Sequence, residues 1–385
     1  MDQAQSQNGP LPMLETPLLL LDRDRLDANV ARMRGRLSAF PLTLRPHVKT
    51  SKCLAVVERL FDGGRGPITV STLAEADFFF AAGYRDILYA VGIVANKFAH
   101  AAALLRAGAA LTLILDSLDA AHALVAYAAT QEQQFSVLLE IDCDGHRSGL
   151  APASPLLAQI AAVLRDGGVR LLGVMTHAGS SYDSRSTAEI TRCARLERDG
   201  VRQAAALLEA AGFPVETVSV GSTPTALFAE DFDGITEVRA GVFVFFDLVM
   251  HGLGVCRIED IALSVLTTVI GHQAEKGWVI VDAGWMALSR DRGTAKQPLD
   301  QGYGLVCDVH GQPIDGLIVS AVNQEHGIVS HRAGGGPGGD ALRFPIGTQL
   351  RILPNHACAT AAQFGGYHVI AADGAMPFWP RLSGR

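Results

Sequence analysis

The sequence predicts an α/β protein, a (β/α)8 TIM barrel joined to a second, mostly β domain. Three observations carry that reading. Eight short β-type runs occur between residues 42 and 242, most of them separated by a segment of helical spacing. The first run is not followed by GxGxxG, the glycine pattern expected of an open dinucleotide-binding sheet. After Cys256 the helical segments give way to alternating or β-rich pieces.

The barrel elements follow in chain order. Strands are expected at 42–44, 68–71, 87–91, 111–115, 137–141, 171–176, 215–220 and 236–239. Between them, Ala/Leu-rich stretches with helical spacing predict helices at 73–82, 98–106, 118–127, 156–165 and 195–211. In the second domain, β pieces are expected at 261–270, 278–281, 317–322, 349–352 and 367–371. The run AGGGPGGD (333–340) reads as a flexible loop between two of them. We place the barrel at 22–255 and the β-rich domain at 256–385 with 1–21, the segment 17–21 completing it.

Composition narrows the function. Of 385 residues, 49% are apolar and 18% charged, which excludes a disordered chain and supplies a sizeable core. A net charge of −7 argues against a nucleic-acid partner, which needs a basic face. No uncharged apolar run approaches the ~18 residues of a membrane span. The opening MDQAQSQNGPLPML lacks the basic start and apolar stretch of a secretory leader. The six cysteines stand singly, with no CxxC, as reduced thiols of a cytoplasmic protein would.

In a barrel of this kind, chemistry sits at the C-terminal ends of the strands. The first strand exits into RPHVKTSK (45–52). Only five of the 32 basic residues are lysines, and two of them, Lys49 and Lys52, fall here. A lysine at a barrel mouth can act as a Schiff-base nucleophile; the alternative is a solvated lysine at a helix start. Lys49 lies nearer the strand end, and Lys52 is expected in the following helix. The fifth strand exits into DCDGHRSG, where Arg147 either bridges to an anionic oxygen or pairs with Asp142 or Asp144. The sixth exits into THAGSSY, with His177 at the mouth and Tyr182 as a further cofactor-binding candidate. A packed core histidine is the alternative there.

The last two strands exit into SVGSTPT and EVRAGVFVFFD. Small residues, hydroxyls and backbone N–H groups on this pair of loops suit a phosphate, and the candidates are Gly221, Ser222, Thr223, Gly241 and Val242. A phosphate site facing a lysine suggests pyridoxal 5′-phosphate (PLP). In the second domain PNHACAT places His356 and Cys358 at i, i+2 on an expected extended segment, so that both project the same way. Imidazole and thiolate together suit Zn²⁺; the alternative is a buried cysteine beside an ordinary histidine. Glu325–His326–Gly327, Asp282 in VDAGWM and the SRDRG run (289–293) complete the polar clusters.

RPHVKTSK, STLAEA, GHRSG, THAGSSY, GSTPT, EVRAGVFVFFD, VDAGW, NQEHG and PNHACAT, in that order, resemble the D-serine dehydratase / D-threonine aldolase family of fold-type III PLP enzymes, whose barrel is of alanine-racemase type. The resemblance runs from Thr16 to about Tyr367. It implies that Lys49 carries PLP and is the catalytic base. Arg147 would lie near the cofactor's phenolic oxygen, His177 against its ring and Arg239 at its ring nitrogen. Thr223, Gly241 and Val242 would occupy phosphate positions. His356 and Cys358 would ligate a divalent ion, Zn²⁺, Mn²⁺ or Mg²⁺. The aldolases tend to show an aspartate at the place of Cys358 and a histidine at that of Ser51, and Ser51 also departs from the usual dehydratase motif. These departures favour 3-hydroxyaspartate over D-serine as substrate. Its second carboxylate wants a cation, for which Arg290 and Arg292 are candidates unless they merely pair with Asp291 and neighbouring acids.

The reading is therefore a lyase acting on a small D-3-hydroxy amino acid, in a homodimer as the family implies. An aldolase yielding glycine and an aldehyde is the alternative within the family. A non-catalytic PLP carrier is the alternative outside it, and it gives no use to the HxC pair.

Overall fold

A computed structural model describes residues 14–334, 336, 340–371 and 373–384. The reading of the first 13 residues, and part of that of the 333–340 loop, lies outside the described residues. The chain divides into two compact units, one of Ala31–Phe243 and one that combines the chain up to Val30 with Val244–Gly384.

The chain opens with β1 (Leu18–Asp22), a strand of the second unit. The barrel strands are β2 (Thr43–Leu44), β3 (Ile68–Val70), β4 (Asp86–Gly92), β5 (Ala110–Leu115), β6 (Ser136–Ile141), β7 (Arg170–Thr176), β8 (Thr217–Val220) and β9 (Glu237–Val238). They form one parallel sheet in the order β2-β9-β8-β7-β6-β5-β4-β3. A parallel bridge between His47 and Thr69 joins its two ends. Near-continuous apolar runs such as VLLEI and LTLIL are what a strand covered on both faces requires. Leu88, Ile114, Leu138 and Met175, from four neighbouring strands, make one buried cluster. Glu140 lies two residues beyond Leu138 and so on the same strand face, which turns the interior polar toward the C-terminal ends.

Helices expected at 98–106, 118–127 and 156–165 appear as Phe98–Arg106, Leu118–Ala128 and Leu156–Asp166. The one expected at 195–211 is Thr187–Ala210 and begins eight residues earlier than its apolar spacing indicated. Its start is polar, and the Ser186 side chain caps it by accepting the Glu189 N–H. The helix expected after the lysine loop is Leu54–Leu60. The charge-rich Arg23–Leu37 escaped the sequence reading, as did the short Thr223–Phe228, Leu248–Gly252, Trp285–Leu288 and Ala357–Ala361.

The second unit holds β10 (Leu263–Gln273), β11 (Trp278–Val281), β12 (Leu305–Cys307), β13 (Pro313–Val322), β14 (Gly327–His331), β15 (Gln349–Leu353), β16 (Gly366–Ile370) and β17 (Phe378–Pro380). With β1 they make a nine-stranded sheet in the order β11-β14-β13-β12-β15-β10-β1-β16-β17. An additional β10–β11 pairing closes six of these strands on themselves. β1 sits between β10 and β16, so the N-terminal segment completes this sheet. Asp282 clasps it, accepting the hydroxyls of Thr16 and Thr267 at 2.5 and 2.6 Å.

Candidate active site

The loop leaving β2 carries Lys49 and Lys52 in different settings. Lys49 is exposed. Lys52 lies in a left-handed turn with φ of 46°, before the helix that begins at Leu54, and not within that helix as expected. Its ammonium pairs at 3.2 Å with Glu75, a carboxylate only 1% exposed. Of the two, Lys52 is the ion-paired amine and Lys49 the exposed one.

His177 and Arg239 form the charged and polar floor beside it. His177 is half-buried, and its Nδ1–H donates to the Gly221 carbonyl at 2.7 Å. Burial lowers its pKa to about 4, against the Gly221 bond and with help from the Arg239, Lys49 and Arg147 charges. His177 is therefore neutral at neutral pH. His47 is held well below the ordinary histidine value by burial and then by Lys49, Arg239 and His177. Five predicted or adjacent groups thus share one electrostatic neighbourhood. Tyr182 belongs to it as well, with its ring centre 6.1 Å from that of His177.

Arg239 is 4% exposed and donates from Nε to the Ser219 hydroxyl at 2.9 Å and from Nη2 to the Thr176 carbonyl. Ser219 in turn donates to Glu237 at 2.7 Å, and Glu237 pairs with Arg45. Burial lowers the Arg239 pKa, and the carboxylates of Glu237, Glu197 and Glu140 oppose that. Arg147 is more exposed and rests 3.4 Å from Glu140, which also accepts the Ser148 hydroxyl at 3.1 Å. Its partner is thus a barrel carboxylate, neither Asp142 nor Asp144.

The last two loops approach backbone to backbone. Gly221 has φ of 152°, and a Cβ there would fall 1.8 Å from the Arg239 carbonyl oxygen. At Gly241 a Cβ would come within 2.8 Å of the His47 carbonyl. Only glycine permits either approach. The Gly221 N–H is committed to Glu197 and the Ser222 N–H to Thr225, while the Ser222 hydroxyl meets Ser181 at 3.0 Å. The Thr223 hydroxyl accepts the Phe243 N–H at 3.3 Å, which leaves its own proton to donate. Val242 opens a short turn (Val242–Val244), so its N–H has no partner within that turn. These donors suit a phosphate dianion, and with Lys49, Arg239 and a neutral imidazole the residues present fit PLP.

Glu197 is a site residue that the sequence did not reveal. It is 2% exposed, and one of its oxygens accepts the Ala178 N–H at 3.0 Å and the Gly221 N–H at 2.9 Å. The Thr225 hydroxyl bonds to it too, while burial raises its pKa. It lies in the middle of ARLERDG on a long charged helix, where nothing in the sequence separates it from its solvated neighbours. Replacing it with alanine strands two buried N–H groups and should cost about 2–3 kcal/mol in urea unfolding. Glu197→Gln keeps the acceptor and should lose less than half of that; equal losses would show that the carboxylate's charge matters more than its hydrogen bonds.

In the second unit His356, in an extended conformation, immediately precedes the helix Ala357–Ala361, and Cys358 lies in that helix's first turn. The i, i+2 pair is therefore not on an extended strand. The two side chains still meet and hydrogen-bond one another. His356 Nδ1 lies 2.8 Å from Asp291. Burial disfavours the charged imidazole, but Asp291, Cys358 and Asp247 outweigh it and lift the pKa to about 11. The imidazole and thiol of this pair are donors of the kind that suit a divalent cation. Among the described residues no group of three or more His, Cys, Asp or Glu is placed to hold a metal ion.

The remaining polar clusters are placed as follows. Glu325 and His326 are exposed in the turn joining β13 and β14. Arg292 pairs with Asp300 at 2.6 Å and stacks on Tyr303, Arg290 lies over the Trp285 ring, and Asp291 is turned to His356.

The family model of the alanine racemase N-terminal domain matches residues 21–249, and that of the D-serine dehydratase domain matches 262–370. The D-threo-3-hydroxyaspartate dehydratase of Delftia sp. (strain HT23) is 56% identical over 372 residues, covering 96% of this chain and 98% of the relative. The chain belongs to the D-threo-3-hydroxyaspartate and D-serine dehydratase family. The solved Delftia structure superposes with a TM-score of 0.94 at 55% identity, over 97% of this chain and 98% of that one. A cysteine-to-alanine variant of D-threo-3-hydroxyaspartate dehydratase, solved in a metal-free form, gives 0.95 at 54% identity, over 98% and 100%. The D-serine dehydratase of Dictyostelium discoideum is 31% identical, over 95% of this chain and 96% of the relative. Family membership accounts for the barrel and the β-rich unit in one chain.

Proposed function

We propose that this chain is a PLP- and divalent-metal-dependent lyase that removes water from D-3-hydroxy amino acids, D-threo-3-hydroxyaspartate first and D-serine second. The barrel unit would carry the cofactor and the β-rich unit the ion, in a cytoplasmic homodimer. The observation supporting this most is the gathering of Lys49, Arg147, Arg239 and a neutral His177, in a family member that matches a dehydratase of that substrate along nearly its whole length.

When bound, PLP supplies an electron sink for charge developing at the substrate Cα, and a divalent ion supplies a Lewis acid for the departing hydroxide. Lys49 would hold the cofactor through its amine and, once displaced by substrate, take the proton from Cα. Thr223, Gly241 and Val242 would donate to the phosphate, with Gly221 and Ser222 shaping the loop. His177, neutral and fixed by the Gly221 carbonyl, would pack against the ring beside Tyr182, and Arg147 would donate to the phenolic oxygen. Arg239 has donors only, so at the ring nitrogen it would keep that nitrogen unprotonated and moderate the sink. His356 and Cys358 would hold the ion. Loss of the α-proton and the β-hydroxide leaves an enamine, and its hydrolysis gives a 2-oxo acid and ammonia, oxaloacetate from 3-hydroxyaspartate and pyruvate from D-serine.

The test is a product analysis on D-serine, D-threonine and both D-3-hydroxyaspartates. The 2-oxo acid and ammonia are expected, with highest kcat/KM on the threo dicarboxylate. Glycine and an aldehyde as main products would replace the dehydratase reading with an aldolase.

A further inference from the structure

The HxC turn is held by side chains that neither the motif nor the family reading assigns. Asp247, 1% exposed, accepts the N–H of Ala357, the residue between the pair, at 2.9 Å, and the Met250 N–H at 3.0 Å. Asn355 donates to the backbone carbonyls of Asp291 and Gly302 at 3.1 and 2.7 Å and accepts the Thr294 hydroxyl at 3.1 Å. Asn355 thus ties the Asp291 backbone to the residue preceding His356. The Asp291 carboxylate uses both oxygens, one accepting the Gly293 N–H at 2.7 Å and the other facing His356 Nδ1 at 2.8 Å.

An imidazole can ligate a metal only through a nitrogen that has lost its proton, and the partner of the other nitrogen decides which one that is. A carboxylate at Nδ1 keeps the proton there and leaves the Nε2 lone pair available. We propose that Asp291 is a positioning residue for the metal: it fixes the tautomer and ring orientation of His356 so that Nε2 faces the ion. Asp247 and Asn355 set the backbone, and Asp291 sets the ring. This rests on the reading of His356 and Cys358 as ligands, and the experiment separates the two.

PLP-loaded enzyme is stripped of metal by a chelator and titrated with Mn²⁺, free ion being followed by electron paramagnetic resonance. Asp291→Ala should weaken Mn²⁺ binding roughly 10- to 100-fold. Its cofactor absorbance should stay that of wild type. Asp291→Asn, whose amide oxygen still accepts the Nδ1–H, should recover most of the affinity. If Asp291→Ala does not fold, Asp291→Glu, which cannot meet Nδ1 at the same ring orientation, is held to the same loss. Wild-type affinity in the alanine or glutamate variant, with Cys358→Ala losing the ion, would overturn the positioning role alone. Wild-type affinity in Cys358→Ala would remove the ligand reading, and this inference with it.

Discussion

Replacing Lys49 with alanine is expected to lower kcat/KM by about 10²–10⁴-fold, the range over which a positioned base contributes, and to end covalent capture of the cofactor. Borohydride reduction of the wild-type holoenzyme should leave pyridoxyl label on Lys49 in a peptide digest. Lys52 cannot take over, because its ammonium is paired with the buried Glu75 and its backbone sits in a left-handed turn. Moving that amine would leave a carboxylate buried and uncompensated. Label on Lys52 in the wild-type digest would mean that the two lysines have been assigned the wrong way round.

Removing the ion should be nearly as damaging. A Lewis acid contributes several kcal/mol where hydroxide departs, so chelation is expected to cut turnover by roughly 100-fold or more. The cofactor absorbance band should persist, because the barrel residues that would hold PLP are distinct from His356 and Cys358. Mn²⁺ or Zn²⁺ should restore the wild type and fail to restore His356→Ala. Full turnover in the chelated enzyme would eliminate the metal from the reaction.

The fold was legible because its signals are local. Apolar β runs such as VLLEI, set between Ala/Leu-rich helices, state the barrel without help from distant parts of the chain. The charged helix Arg23–Leu37 states nothing of the kind, and the strands Leu305–Cys307 and Phe378–Pro380 are too short for periodicity to register. The site residues that could be named in advance carry unusual chemistry at loop positions: Lys49 in a chain poor in lysine, His356 and Cys358 two apart. Those whose role could not be assigned in advance act through distant partners. Glu197 reaches Gly221 across 24 positions and Asp291 reaches His356 across 65, so neither relation leaves a mark on the neighbouring sequence. Cys358 was read on a strand because alternation is the simplest way to bring i and i+2 together, whereas the chain uses a helix cap to do so.

The setting of Gly221 bears on how an enzyme of this kind can change. Its N–H is held by Glu197, its carbonyl by His177, and the space a side chain would fill by the Arg239 backbone. A substitution there disturbs the ring contact, the anion loop and the buried arginine at once, so that no trait of the cofactor site can be adjusted separately from the others. A laboratory evolving new substrate preferences should find this floor frozen. Libraries are better spent on exposed positions such as Arg290, whose guanidinium lies over the Trp285 ring, where variation can accumulate one step at a time.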